Sequence, residues 1–323
     1  MYIGEDSVNK EKVYNSSSHD VTVLLTTSDK YSDAWFPFFR CWELYCSNLD
    51  FPVVINSETK VFETDNPNIT TYLGKAGVPW SRRLKNCLKT IKTEYVLLCL
   101  EDYFIQSPMD ENVFNAAFKT MEEDKSIGVI QFAIDISCRY DKEIIINNYF
   151  SPVPAIKTDR KTHNGRIYCV LSLYRTKYLS KLLIPSESPW EFEVYGTLRS
   201  RFFKEKVLRE REDHNRCFNY LIEPKYGYGI SRGKWLPKNK ELFEKLKIDV
   251  DYYNLGVLSE EEWQQWVKQY EGKAEKQKNE RQHRTKLQFL KLLLTNPKEF
   301  FNILIVVLNK KKMLLKYRFP FIR

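Results

Sequence analysis

Glycine is scarce in this sequence, 11 residues out of 323. Neither G-x-G-x-x-G nor G-x-x-x-x-G-K-S/T occurs, so no glycine-rich loop is at hand to cradle phosphate on backbone amides. Any phosphate bound here has to be held by metal or by cationic side chains. The seven cysteines (Cys41, Cys46, Cys87, Cys99, Cys138, Cys169 and Cys217) are odd in number and include no C-x-x-C pair. That argues against a disulfide framework and for a reduced, cytosolic compartment. Cys87 and Cys99 lie inside apolar patterns and read as small buried hydrophobes. No apolar run reaches the roughly 18 residues of a membrane span. Residues 1–20 are polar, with no apolar stretch of the kind a signal peptide carries.

Apolar residues are plentiful, 43% of the chain, and aromatics reach 15%. A sizeable core is expected, in one large domain or a domain with an extension. Charge is unevenly spread. Residues 273–323 hold 14 Lys/Arg against 3 Asp/Glu, which leaves residues 1–272 near −2 within a whole-chain +9. A near-neutral body with a strongly basic tail suits an acidic surface as partner. Lys286–Arg323 is amphipathic as well as basic, with Tyr317, Phe319 and Phe321 near its end. It reads as a helix lying in a membrane interface. Arginine is sparse there and no nucleic-acid-reading module occurs, so nucleic acid is not expected.

Strand and helix patterns alternate through the body. Val21–Thr27, Pro52–Asn56, Ile69–Leu73, Ile127–Ala133 and Tyr168–Tyr174 read as strands. Ala34–Leu49, Trp80–Ile91, Asn112–Glu123, Thr176–Leu183 and Trp190–Phe203 read as helices, the last opened by Ser188-Pro189. A further helix begins at Ser259, with Glu262 completing a capping box. This alternation predicts an α/β fold with a mostly parallel sheet. The most telling stretch is Tyr95–Leu100. It is too short for a good helix and too uniformly apolar for a strand with one wet face, so a central strand buried on both sides is expected. Glu101 and Asp102 follow at its carboxyl end, where ligands of open α/β sheets bind. Two acids so close call for a shared proton or a cation.

The run Trp80-Ser-Arg-Arg-Leu84, then Thr93-Glu-Tyr-Val-Leu-Leu-Cys-Leu-Glu-Asp-Tyr-Phe104, resembles the nucleotide-sugar half of a GT-A-fold glycosyltransferase. More narrowly, it is similar to glycosyltransferase-like proteins of bacterial polysaccharide gene clusters. Pro189-Trp-Glu-Phe-Glu193 and Gly233-Lys-Trp235 extend the likeness, which covers residues 20–237. The resemblance implies a GT-A-like domain over 20–258, with a nucleotide-sugar half (20–134) and an acceptor half (135–258). A loose N-terminus (1–19) precedes it and a helical basic tail (259–323) follows.

The resemblance also implies roles. Glu101-Asp102 stands where GT-A enzymes place a D-x-D metal motif, with Tyr103 where the second Asp would be. Asp102 is the expected Mn²⁺ or Mg²⁺ ligand, with Glu101 a second ligand or a ribose contact. Thr27, Asp33 and Glu58 follow strand ends on the edge expected to hold base and ribose. Trp80 and Arg83 open a helix, and Arg83 is expected at a phosphate. Glu193 is the expected general base, with Glu191 the alternative. His214 and Lys234 are expected as late metal or diphosphate contacts. The implied reaction moves a sugar from a nucleotide sugar, a UDP-sugar, to a glycan or lipid-linked acceptor, with inversion. The rivals are a nucleotidyltransferase, and a membrane-docked binding protein whose site has decayed.

Overall fold

The computed structural model describes residues 19–46, 51–132, 146–153, 166–220, 229–231, 233–265, 267 and 268. The chain divides into two units, Met1–Val257 and Leu258–Arg323. In the second, the Ser259 amide donates to Glu262 Oε2 (2.9 Å) and the Glu262 amide to Ser259 Oγ (3.1 Å), the expected capping box. The apolar and basic stretches of the tail lie outside the described residues, as does Cys138. Among the described residues no helix is long and apolar enough to cross a membrane.

The first unit is built on an eight-stranded sheet in the order β3-β2-β1-β4-β7-β5-β8-β6. Its strands are β1 (Val21–Thr26), β2 (Val53–Ser57), β3 (Ile69–Leu73), β4 (Tyr95–Cys99), β5 (Ile127–Gln131), β6 (Phe150–Pro152), β7 (Ser172–Arg175) and β8 (Lys206–Glu210). The β1·β2, β1·β4, β2·β3 and β5·β8 pairs are parallel; β4·β7, β5·β7 and β6·β8 are antiparallel. The fold is thus α/β, a mostly parallel sheet flanked by helices, the layout that the GT-A resemblance implies.

Side chains alternate across the two central strands. Val21, Val23 and Leu25 of β1, with Tyr95, Leu97 and Cys99 of β4, join one core. Leu24, Val96 and Leu98 join the other. The first core is covered by α1 (Trp35–Tyr45) and α3 (Glu111–Glu123), the second by α2 (Trp80–Leu88) and α4 (Thr176–Leu182). All five residues of β4 are buried, so the strand is covered on both faces as its uniform apolarity predicts. The first core is heavily aromatic: Phe114 meets Phe118, Phe132 and Phe218 at 5.1, 6.3 and 5.9 Å between centroids. Cys41, Cys46, Cys87, Cys99, Cys169 and Cys217 are all free and buried, as small hydrophobes.

Two of the elements not expected from sequence pack into the cores. Strand β8 is one; its Lys206, Arg209 and Glu210 disguise a buried strand as a charged loop. Arg209 is tolerated inside because its Nη2 donates to Gln131 Oε1 at 2.7 Å, across the parallel β5·β8 pair. The other is α7 (Pro237–Leu246), which seats Phe243 against Trp235 and Phe104. The strand expected over Tyr168–Tyr174 begins only at Ser172, and Tyr168–Leu171 runs as irregular chain towards the site.

The helix expected over Trp190–Phe203 is three segments run together: α5 (Pro189–Glu191), a π-helical turn (Phe192–Gly196) and α6 (Thr197–Ser200). It is fixed to α2 by polar contacts. The Ser81 amide donates to the Glu187 carbonyl (3.2 Å), and the Glu187 amide to Ser81 Oγ (2.8 Å). The Glu187 carboxylate forms a buried bidentate pair with Arg199, at 2.5 and 2.7 Å. Breaking such a pair from one side leaves a buried charge and costs about 3–5 kcal/mol. Arg199→Ala is therefore expected to lower the urea midpoint sharply; an unchanged midpoint would show that the pair does not hold this helix.

Candidate active site

The connection from β1 goes to β2 and β3 on one side and returns to β4 on the other. The chain order therefore reverses at β1, between β2 and β4. Crevices in open α/β sheets lie at the carboxyl ends of the strands flanking such a point. A cavity of about 600 Å³ is found there. Thr26, Thr27 and Glu58 enter it from the ends of β1 and β2, and Leu100–Tyr103 from the end of β4. Lys30 and Tyr31 come from the turn after β1, Trp80 and Arg83 from α2. Tyr168–Val170, Pro189, Trp190 and Glu193 make the wall on the later part of the chain.

Helix α2 carries Trp80 and Arg83 one turn apart, on the face turned towards the end of β1. Trp80 donates its indole N–H to Thr26 Oγ1 (2.8 Å). Arg83 is 2% exposed; its Nη1 meets Glu58 Oε1 at 2.9 Å and its Nη2 donates to the Thr27 carbonyl. Gly74 leaves room for this guanidinium stem, since a Cβ there would lie 2.3 Å from Arg83 Cδ. Glu58 in turn takes the Asp29 amide (2.8 Å), and Asp29 gathers the amides of Glu58, Thr59 and Lys60, each at about 3.1 Å. Burial alone would raise the Asp29 carboxyl, but the Thr59 hydroxyl and these amides together hold it below its ordinary range. Arg83 and Asp29 thus lock the loops after β1 and β2 into one frame.

The acid pair sits at the centre. Burial pushes the carboxyls of both Glu101 and Asp102 well above the ordinary range, and the Asp102 charge adds to the effect on Glu101. Glu101 is offset in part by a hydrogen bond from the Thr27 side chain. Trp35 donates its indole N–H to Thr27 Oγ1 (2.9 Å), and the same hydroxyl lies 3.4 Å from the Ser28 carbonyl. Asp102 takes the amide of Ile230. Its own carbonyl takes the Gly229 amide at 2.7 Å. That approach needs glycine, because a Cβ on residue 229 would stand 2.0 Å from Phe104 Cε2 and 2.9 Å from the Asp102 carbonyl oxygen. The two charges also reach Tyr31, whose hydroxyl is pushed up first by burial and then by Glu101 and Asp102.

Glu193 faces the cavity from the π-helical turn. Such turns occur mostly as single insertions in helices, often at functional sites. Glu193 Oε1 accepts the Cys169 amide at 3.0 Å, which fixes the carboxylate against the irregular stretch before β7.

Seven of the eleven residues singled out from sequence therefore line one cavity: Thr27, Glu58, Trp80, Arg83, Glu101, Asp102 and Glu193. Four do not line it. Glu191 closes the capping box of α5, accepting from the Ser188 amide (2.8 Å). Asp33 Oδ1 lies 3.4 Å from Asn254 Nδ2. His214 lies beside Tyr149, with its Nδ1 3.9 Å from Glu210. Lys234 is in the short strand β10 (Lys234–Trp235), paired with β9 (Ile230–Ser231). Within the Gly-Lys-Trp motif it is Gly233 that reaches the cavity, while Trp235 is core, stacked 5.8 Å from Phe104. Lys30, Tyr31, Tyr168 and Trp190 line the cavity without having been singled out. For Lys30 and Tyr31 a signal existed, since both lie in the polar turn that follows β1.

No protein-family model matches the chain, and no curated protein does. Solved structures do. Residues 1–349 of S. aureus TarS in complex with UDP-GlcNAc match at 14% identity and a TM-score of 0.41, over 72% of this chain and 68% of that one. Another structure of the same TarS residues matches at 14% and 0.38, over 62% of this chain, and there this chain spans 59% of its length. A cytidylyltransferase from Leptospira borgpetersenii matches at 12% and 0.36, over 64% and 82% of the two chains.

A divalent cation can be tested against the donor set. Among the described residues no group of three or more His, Cys, Asp and Glu side chains converges. Glu101 and Asp102 offer two carboxylates at the carboxyl end of β4, and His214 is elsewhere. A Mg²⁺-like ion needs no more than one or two carboxylates when substrate phosphates and water complete its shell. The upward push on both acids is the condition that a cation relieves. The residues fit such an ion bound together with a diphosphate.

Proposed function

We propose that the chain is a metal-dependent glycosyltransferase. It takes a nucleotide sugar, a UDP-sugar, and passes the sugar with inversion to a polysaccharide or lipid-linked oligosaccharide acceptor. The observation that carries this reading is one cavity with two separated acidic functions. The Glu101–Asp102 pair stands at the sheet's switch point, and Glu193 stands on the wall formed by a later helix.

Asp102, with Glu101, would hold Mn²⁺ or Mg²⁺, which supplies charge stabilisation for a departing diphosphate. Lys30, from the turn after β1, adds a cationic side chain to the same cavity. Arg83 braces the ends of β1 and β2 through Glu58 and the Thr27 carbonyl. Glu193 accepts the proton of an acceptor hydroxyl as its oxygen bonds to the anomeric carbon. The bond from that carbon to the diphosphate oxygen breaks, and the nucleoside diphosphate leaves. The basic segment 273–323, net +11, suits an anionic lipid surface on the cytoplasmic side, where a lipid-linked acceptor would be met.

A panel of nucleotide sugars tests the donor class. UDP-sugars with Mn²⁺ are expected to raise the melting temperature by several degrees, as ligands of the folded state do. A panel in which only CTP or another nucleoside triphosphate stabilises the protein would reassign it to nucleotidyl transfer.

A further inference from the structure

Trp190 is 74% exposed, although large aromatic side chains are ordinarily well covered. It also lines the cavity, together with Glu193. The two lie three residues apart, on either side of the junction between α5 and the π-helical turn, and both line the same cavity. The turn that carries Trp190 is firmly set. Pro189 occupies its first position and Ser188 with Glu191 closes a reciprocal cap. Beneath it lies the buried Glu187–Arg199 pair. A rigid turn therefore holds an unburied indole at the cavity mouth.

Building on the glycosyltransferase reading, we propose that Trp190 is the platform for the acceptor. A sugar ring of the acceptor lies with its C–H face on the indole, and a hydroxyl at its edge reaches Glu193. An aromatic face, negative at its centre, attracts the polarised C–H groups of a pyranose while leaving the ring's hydroxyls free at the edge. The residues lining the cavity fall into two groups of different character. Lys30, Glu101 and Asp102 suit the ionic part of a donor, whereas Pro189, Trp190 and Val170 present apolar surface around one carboxylate. The group that must touch Glu193 is the acceptor hydroxyl, which assigns the indole to the acceptor. Val194 and Phe202 are also exposed further along the chain, at 56% and 71%, but neither lines the cavity.

The test uses the full chain saturated with UDP and Mn²⁺, and the methyl glycosides of glucose, galactose and N-acetylglucosamine as probes. Saturation-transfer NMR is expected to show at least one glycoside receiving magnetisation on its ring protons. In Trp190→Ala its affinity is expected to fall about tenfold, with Trp190→Phe retaining most of it. Calorimetry on the same variants is expected to give UDP affinities within about twofold of the parent. The proposal is overturned if no glycoside binds the UDP-loaded parent, or if Trp190→Ala leaves glycoside affinity unchanged. It is also overturned if Trp190→Ala weakens UDP equally, or if it changes only the sedimentation coefficient, which would make the indole a contact between copies of the chain. Failure of UDP to bind the parent protein would instead remove the glycosyltransferase reading on which the proposal rests.

Discussion

Asp102→Asn is expected to lower sugar transfer by about a hundredfold to a thousandfold, the scale on which removing a group that stabilises transition-state charge is felt. The substitution is nearly isosteric. The amide oxygen still accepts from the Ile230 amide, so the contact with β9 survives. What disappears is one of the two carboxylates at the end of β4. The expected effect on stability has the opposite sign. Burial raises the folded-state titration point of Asp102 above its unfolded value. A carboxyl raised in this way binds protons more tightly in the folded state, so its ionisation destabilises the fold as pH rises towards neutral. The neutral amide avoids that penalty. Asp102→Asn without added metal should therefore melt no lower than the parent at neutral pH, and higher if the charge is fully relieved. A variant that is inactive and less stable would point to a structural acid instead, and an active one would take Asp102 out of the site.

Glu193→Gln separates chemistry from binding. A positioned general base contributes about a hundredfold to ten-thousandfold, and turnover is expected to fall within that range. UDP affinity is expected to stay within about twofold, because the nucleotide end of the cavity belongs to other elements. The glutamine side-chain oxygen can still accept the Cys169 amide, so the π-helical turn should keep its shape. Steady-state rates at saturating donor and acceptor, beside calorimetric UDP affinities, check both halves. Turnover that is kept while nucleotide affinity falls would move Glu193 from base to donor contact. Glu191 is the natural control: it is spent on the α5 cap, and its replacement should alter helix stability more than turnover.

Much of the sheet was readable because its central strands obey simple patterns. Tyr95–Cys99 is apolar on both faces because two cores cover it, and the acid pair at its end marks the crevice. Trp80 and Arg83 were readable as a helix start. The role of Arg83 was less so, since Glu58 lies 25 positions away in sequence and its ion pair with Arg83 exists only once β2 and α2 are packed. Strand β8 escaped notice because buried Arg209 and Glu210 look like surface residues until Gln131 and the Cys217 amide are brought to them. The π-helical turn has no sequence signature, yet it is what carries Glu193 on the cavity wall. Tyr168 reaches the cavity from irregular chain, where no periodicity marks a side chain's direction.

The most direct test of the nucleotide-sugar reading is a calorimetric titration of UDP into the full chain, once with Mn²⁺ and once with EDTA. Binding is predicted in Mn²⁺, at least about tenfold tighter than in EDTA, because the cation would join the diphosphate to Asp102 and Glu101. No binding heat under either condition would contradict it.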